Sequence, residues 1–146
     1  MVKLPICFAL FALTTSALAT APENSNDMSG IRTMSIEKNA EWTDSVSSDE
    51  PPESCADFVL KKKDVREFFR VARHASEREY GHDLLMSRCS VSGKVVFRNG
   101  DRGEWKIDRA RRGLLVLSDG RVLYFYCGKC HSKVFMESCD IDCINQ

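Results

Sequence analysis

The residues in this sequence with the most chemical potential are Cys127-Gly128-Lys129-Cys130-His131. A C-x-x-C-H segment is the attachment signature of c-type haem, in which both thiols bond to the porphyrin and the adjacent histidine ligates iron. The context disagrees with that chemistry, because the motif follows a run of β-formers from Val122 to Tyr126. Met136 is also too close in sequence to reach the opposite face of a haem. Haem c therefore stays an alternative for Cys127, Cys130 and His131.

Two further chemistries would use the same cysteines. A C-x-x-C pair cycles between dithiol and disulfide when a helix N-terminus lowers the pKa of the first thiol, but no βαβ pattern precedes Cys127. Zinc is the other option, since Cys139 and Cys143 could complete a ligand set with Cys127, Cys130 and His131. An oxidising compartment competes with zinc by forming disulfides. Dithiol exchange and zinc binding are therefore alternatives as well.

A structural disulfide is the interpretation that we favour for this motif. Gly128-Lys129 suits a two-residue hairpin loop, since glycine at the first central position fits a type II′ turn. Cys127 and Cys130 would then face each other at a Cα separation of about 5.5 Å, which a disulfide tolerates. Alternatively, one of them bridges to Cys139 or Cys143 and holds the C-terminal tail to the sheet.

The amino terminus determines how all of these thiols are interpreted. Met1-Val2-Lys3 is a positive start, residues 4–13 are apolar, and Ser16-Ala17-Leu18-Ala19 has the small residues of a cleavage site. This pattern predicts a secretory signal peptide over residues 1–19, and therefore a secreted protein in an oxidising space. If the protein is bacterial, that space is the periplasm.

Six cysteines follow the predicted cleavage point: Cys55, Cys89, Cys127, Cys130, Cys139 and Cys143. An even number fits three bridges, but the sequence does not fix their pairing. Cys55 and Cys89 flank the predicted helix, so a bridge between them would close a helix-containing loop and contribute about 2–4 kcal/mol. No later segment approaches the roughly 20 apolar residues that a membrane span needs.

Composition divides the exported chain into two parts. Residues 22–54 hold eight acidic side chains, and the whole of residues 20–54 is poor in apolar anchors. Such a stretch cannot bury enough surface to offset its ordering entropy, which predicts an acidic, mostly disordered leader. Residues 55–146 are the predicted domain, with a cysteine-rich C-terminal segment. Residues 55–126 hold sixteen Lys and Arg against ten Asp and Glu.

Within residues 55–146, the apolar spacing predicts one helix followed by a sheet. Asp64 and Glu67 match a capping box, and apolar residues then recur at helical spacing, which predicts an amphipathic helix over residues 64–77. From Cys89 the period changes to two, with tight turns at Asn99-Gly100 and Asp119-Gly120. The last predicted strand covers residues 133–137. The fold class is α+β, with one amphipathic helix on a disulfide-stabilised, four- to five-stranded antiparallel meander.

Basic side chains are the candidate partner-binding residues: Lys62, Arg66, Arg70 and Arg73 along the helix, and Arg109, Arg111 and Arg112 in a later turn. Together they predict a basic surface for an acidic protein or an anionic envelope component. Export argues against nucleic acid, the usual partner of such a surface. The simplest alternative is a solvated rim that binds nothing.

The sequence lacks the hydrolase, P-loop, zincin and dinucleotide motifs. We therefore expect a non-enzymatic binding module without a cofactor, such as an inhibitor or immunity-type partner of another envelope protein. The rival class is a redox or electron-transfer protein that uses Cys127, Cys130 and His131.

Overall fold

The computed structural model describes residues 30–136. Within that range the chain forms six strands and one α-helix: β1 (Ile31–Trp42), α1 (Lys62–Val71), β2 (Arg73–Ala75), β3 (Cys89–Phe97), β4 (Arg102–Asp108), β5 (Arg112–Leu117) and β6 (Val122–Tyr126). A 3-10 turn, Pro52–Cys55, precedes the helix, and a π-helical turn, Glu79–Asp83, lies between β2 and β3. The predicted α+β class with disulfides is confirmed.

All six strands belong to one antiparallel sheet in the order β1-β3-β4-β5-β6-β2. The meander from β3 to β6 follows the alternation that the sequence shows. Gly100 and Gly120 adopt positive φ angles of 93° and 89° in the turns after β3 and β5, as tight hairpin turns require. In the middle of the sheet, Trp105 lies opposite Gly93 on one side and Leu115 on the other.

Helix α1 packs on one face of this sheet through Val65, Phe68 and Phe69, which are all buried. The Lys61 amide donates to the Asp64 carboxylate at 2.8 Å, so Asp64 lies in the first turn and does not precede it as the capping residue. Gly113 allows the close approach of helix and sheet, because a Cβ there would lie 2.5 Å from the Phe68 ring. A larger residue at position 113 would therefore push the helix away.

The predicted helix ends too late in the chain. The helix stops at Val71, and Arg73–Ala75 instead pairs with β6 as the short strand β2. The backbone N–H and C=O groups of Arg73–Ala75 can bond to β6 at the sheet edge, so this stretch does not need helical hydrogen bonds. The helix therefore covers Lys62–Val71 in place of the predicted residues 64–77.

Aromatic rings fill the space between helix and sheet. The Phe69 ring meets Trp105 and Phe125 edge-on, with centroid distances of 6.3 and 5.3 Å. The Phe68 ring meets Phe69 at 5.2 Å, and Phe58 meets Phe135 at 5.8 Å. Such edge-to-face pairs add to the stabilisation from apolar burial. The core therefore depends on both the helix and the segment after β6.

The prediction of a disordered leader is wrong for Ile31–Trp42. This stretch is an edge strand paired with β3, and its Met34 side chain is buried in the core. Register shifts between Ile31 and Thr33 and between Ile36 and Lys38 interrupt the ladder. Bulges of this kind break the two-residue alternation, which is why the sequence shows no clear strand period here.

The predicted last strand is also wrong over residues 133–136, where the chain forms a turn. Phe135 turns inward against Phe58 and Phe68, and the Met136 amide donates to the Arg109 carbonyl at 2.9 Å. Side-chain packing of Phe135 therefore holds this segment in place, and the segment forms no strand. With β1 and β2 added, the sheet has six strands where four or five were expected.

Three predicted features lie outside the described residues: the signal peptide over residues 1–19, Cys139 and Cys143. Between residues 30 and 136, no helix has both the length and the apolar character needed to cross a membrane.

Candidate functional site

The C-x-x-C-H segment contains a closed disulfide in this structure. Cys127 and Cys130 are bonded, with their Cα atoms 5.4 Å apart, and both residues are buried. The Cys130 amide donates to the Cys127 carbonyl at 3.3 Å, which defines a tight turn. Gly128 does not adopt a positive φ, so the expected type II′ hairpin is wrong, and no strand returns after Cys130 within the described residues.

The surroundings of this disulfide bear on the three alternative chemistries. No helix of the described chain begins at Cys127, so the usual means of lowering a C-x-x-C thiol pKa is missing there. Residues 30–136 contain no group of three or more metal-ligating side chains. Covalent attachment of haem would require each cysteine sulfur to bond to a haem vinyl group. The two sulfurs cannot do so while they are bonded to each other. The haem alternative therefore needs a different covalent state of Cys127 and Cys130.

The second disulfide joins distant parts of the chain. Cys55 in the 3-10 turn bonds Cys89 at the start of β3, across a sequence separation of 34 residues, and both are fully buried. The chain-entropy relation assigns about 4 kcal/mol to a loop of this length and about 2 kcal/mol to a loop the size of Cys127–Cys130. The Cys55–Cys89 bridge is therefore the main covalent brace of the domain.

The three arginines of the β4–β5 turn differ in their surroundings. Arg112 is the buried one. Its Nε donates to the Asp108 carboxylate at 2.7 Å and its Nη1 to the Tyr80 carbonyl at 2.8 Å. Its guanidinium also lies over the Tyr80 ring, 4.5 Å from the centroid. The prediction that Arg112 belongs to a partner-binding surface is wrong, because all of its contacts are inside the protein.

Burial governs the titration of this cluster. Desolvation raises the pKa of Asp108 to about 6, against the opposing attraction of Arg112. Desolvation likewise raises the pKa of Tyr80 to about 12. The Arg112–Asp108 pair ties the segment around Tyr80 to the outer face of the sheet, which we define as the face opposite helix α1.

Arg109 and Arg111 also bond within the chain. Arg109 donates to the Ser54 carbonyl at 2.6 Å and to the Asp57 carboxylate at 2.5 Å, and its side chain is only 18% exposed. Arg111 adopts a positive φ of 69° in the turn and donates to the Gly128 carbonyl at 3.2 Å. Arg109 is therefore held by acceptors of this chain, but its expected binding role stays a prediction, and Arg111 is half-buried.

The helix cations have different surroundings. Lys62, Arg66 and Arg70 are four residues apart, which places them on one side of α1, and all three are exposed. Arg70 forms a salt bridge with Glu67 at 2.6 Å. Within the described chain Lys62 and Arg66 form no salt bridge. We call Lys62, Lys63, Arg66 and Arg70 the basic helix side.

Lys63 was missed as a candidate from the sequence. It lies three residues before Arg66, on the same side of the helix, and it is exposed. The run Lys61-Lys62-Lys63 at the helix start was the available indication. Arg73, by contrast, lies on β2, forms a salt bridge with Glu79 and covers the Tyr126 ring. Arg73 is therefore separate from the basic helix side.

No family model, curated protein or solved structure matches the chain.

Proposed function

We propose that this chain is a small exported binding module that captures an acidic protein through the basic helix side. Secretion, to the periplasm in a bacterium, is part of the proposal, and it rests on the sequence pattern of residues 1–19. The two disulfides are compatible with it, because such bonds persist in oxidising compartments.

One observation carries the proposal. Arg109 and Arg112 of the β4–β5 turn form salt bridges within this chain, whereas Lys62 and Arg66 are exposed and form none in residues 30–136. Exposed cations on a rigid helix attract an acidic partner and raise its association rate more than its final affinity. An inhibitor or immunity-type partner of another envelope protein would use such a surface.

A matched pair of charge reversals tests this proposal. The first variant carries Lys62→Glu and Arg66→Glu. The control carries Arg98→Glu and Lys133→Glu, which make the same charge change at exposed positions outside the helix. Each is immobilised and exposed to a native envelope extract, and bound proteins are identified by mass spectrometry.

The wild type and the control variant should retain the same acidic protein, and the helix variant should lose it. With the purified partner, the association rate at low salt should fall at least about tenfold for the helix variant alone. Equal capture by both variants would contradict the proposal. If the wild type captures an anionic polymer and no acidic protein, the proposal of an acidic protein partner is contradicted.

A further inference from the structure

The outer face of the sheet contains an open groove near the β3–β4 turn. The groove has a volume of about 510 Å³ and is lined on this face by Lys94, Val96, Arg102, Glu104, Val116 and Ser118. Trp105 faces the helix side through its contact with Phe69, so its neighbours along β4 alternate to the outer face. Elsewhere on that face, Tyr80 packs against Tyr124 and Arg112.

Apolar side chains form part of this open surface. Val116 and Val122 are directly opposite each other on β5 and β6, and they are 39% and 40% exposed. The two valines therefore give this face a small contiguous apolar surface that a partner can cover. Val96 is half-buried on the other side of the groove.

Two opposite charges stand beside these valines. Arg102 and Glu104 are exposed and two residues apart on β4, so both project from the same face. Neither forms a salt bridge among the residues that the structure describes, although the neighbouring Lys94 contacts Glu37 at 3.1 Å. A surface with an unpaired cation next to an unpaired anion is complementary to a copy of itself.

We infer that this outer face binds a second copy of the chain, with the two sheets face to face. A two-fold axis between the sheets, crossing β4 at Gly103, would place Arg102 of each copy opposite Glu104 of the other. Closed homodimers use such self-complementary surfaces. In this dimer the Arg102–Glu104 pairs set the register between the two sheets, and the second copy covers Val116 and Val122.

The dimer is expected to be weak, because exposed ion pairs such as Arg102–Glu104 contribute at most about 1 kcal/mol each. Its geometry leaves the basic helix side of each copy exposed on opposite outer surfaces. A dimer would therefore present two capture sites, and a partner with two acidic segments would bind with increased avidity. Dimer formation itself does not depend on the proposed function.

Charge exchange at β4 tests the inference with the full mature chain. Sedimentation equilibrium at about 100 μM should show the wild type as a dimer. Arg102→Glu alone and Glu104→Arg alone place like charges opposite each other, and each variant should be monomeric. A one-to-one mixture of the two variants restores both opposite-charge pairs and should be dimeric again.

The control Lys133→Glu should remain a dimer, and circular dichroism should show all variants folded. A monomeric wild type at this concentration would overturn the inference. Dimers that persist in both single variants, or a mixture that stays monomeric, would do so as well.

Discussion

Two clusters of basic side chains look alike in sequence and differ completely in structure. The β4–β5 turn directs Arg112 inward to Asp108 and Tyr80, and Arg109 to Ser54 and Asp57. Helix α1 instead leaves Lys62 and Arg66 in solvent. The difference arises from the acceptors that the fold brings close, since a cation that bonds to carboxylates and carbonyls of its own chain becomes part of the structure.

The arginines of the turn that bond within the chain are therefore expected to affect stability, and the exposed cations of the helix to affect binding. Removing a buried cation leaves a buried acceptor without a partner, which is costly. Removing an exposed cation changes only the surface field. Variants of the β4–β5 turn should therefore change the free energy of unfolding, and variants of the helix should change the capture of a partner.

The largest effect is expected for Arg112→Met. This change keeps the apolar stem but leaves Asp108 buried without its partner. The free energy of unfolding should fall by about 3 kcal/mol, the lower end for a broken buried pair, because Asp108 can take up a proton. Urea denaturation measures the effect. A loss smaller than that of Arg109→Met would contradict the structural role of Arg112.

The next effect is a pH dependence from Asp108. Burial raises its pKa to about 6 in the folded protein, against an ordinary value of 3.8. The folded state therefore holds a proton that the unfolded state has lost between these values. The contribution of Asp108 to the free energy of unfolding should decrease by about 2–3 kcal/mol as pH rises from about 4 to about 6.

Asp108→Asn provides the control for this pH dependence. The variant lacks the titrating group. The stability of the wild type relative to the variant should therefore fall by about 2–3 kcal/mol from pH 4 to pH 6. A difference that stays constant over this range would show that Asp108 keeps its ordinary pKa.

A smaller effect is expected for Arg109→Met. Its side chain links the turn to the Ser54 carbonyl and the Asp57 carboxylate, but Asp57 is largely exposed. Solvent screens that pair, so the loss in the free energy of unfolding should be about 1 kcal/mol. Thermal denaturation of the Arg109→Met and Arg112→Met variants in parallel shows which change destabilises the protein more. Equal losses of stability would contradict the difference expected between the two arginines.

The smallest effect on stability is expected on the helix. The double change Lys62→Ala and Arg66→Ala removes two exposed cations and introduces a good helix former. The free energy of unfolding should stay within about 0.5 kcal/mol of the wild type, while partner capture falls. A loss as large as that of Arg109→Met would mean that these cations have a structural role.

Local patterns explain what the sequence could predict. The strands β3 to β6 and their turns follow from alternation and from glycines at positions 100 and 120. The helix was found from its apolar spacing. These features depend on neighbours within a few residues, and the sequence shows them directly.

The remaining features depend on contacts between distant residues. Strand β1 is interrupted by bulges, and β2 has only three residues, so each exists because a neighbouring strand pairs with it. The inward orientation of Arg112 requires the segment around Tyr80 to cover the outer face. Asp108, four residues before Arg112, was the one local indication of that pair.

The most direct test concerns the covalent state of Cys127 and Cys130 in protein purified from its natural source. Intact mass, disulfide-mapped peptides and a visible spectrum should be recorded on material alkylated without reduction. We predict no Soret band and peptides joined through Cys127–Cys130 and Cys55–Cys89. A Soret band with a mass gain, or alkylated Cys127 and Cys130, would contradict the account and favour the redox class.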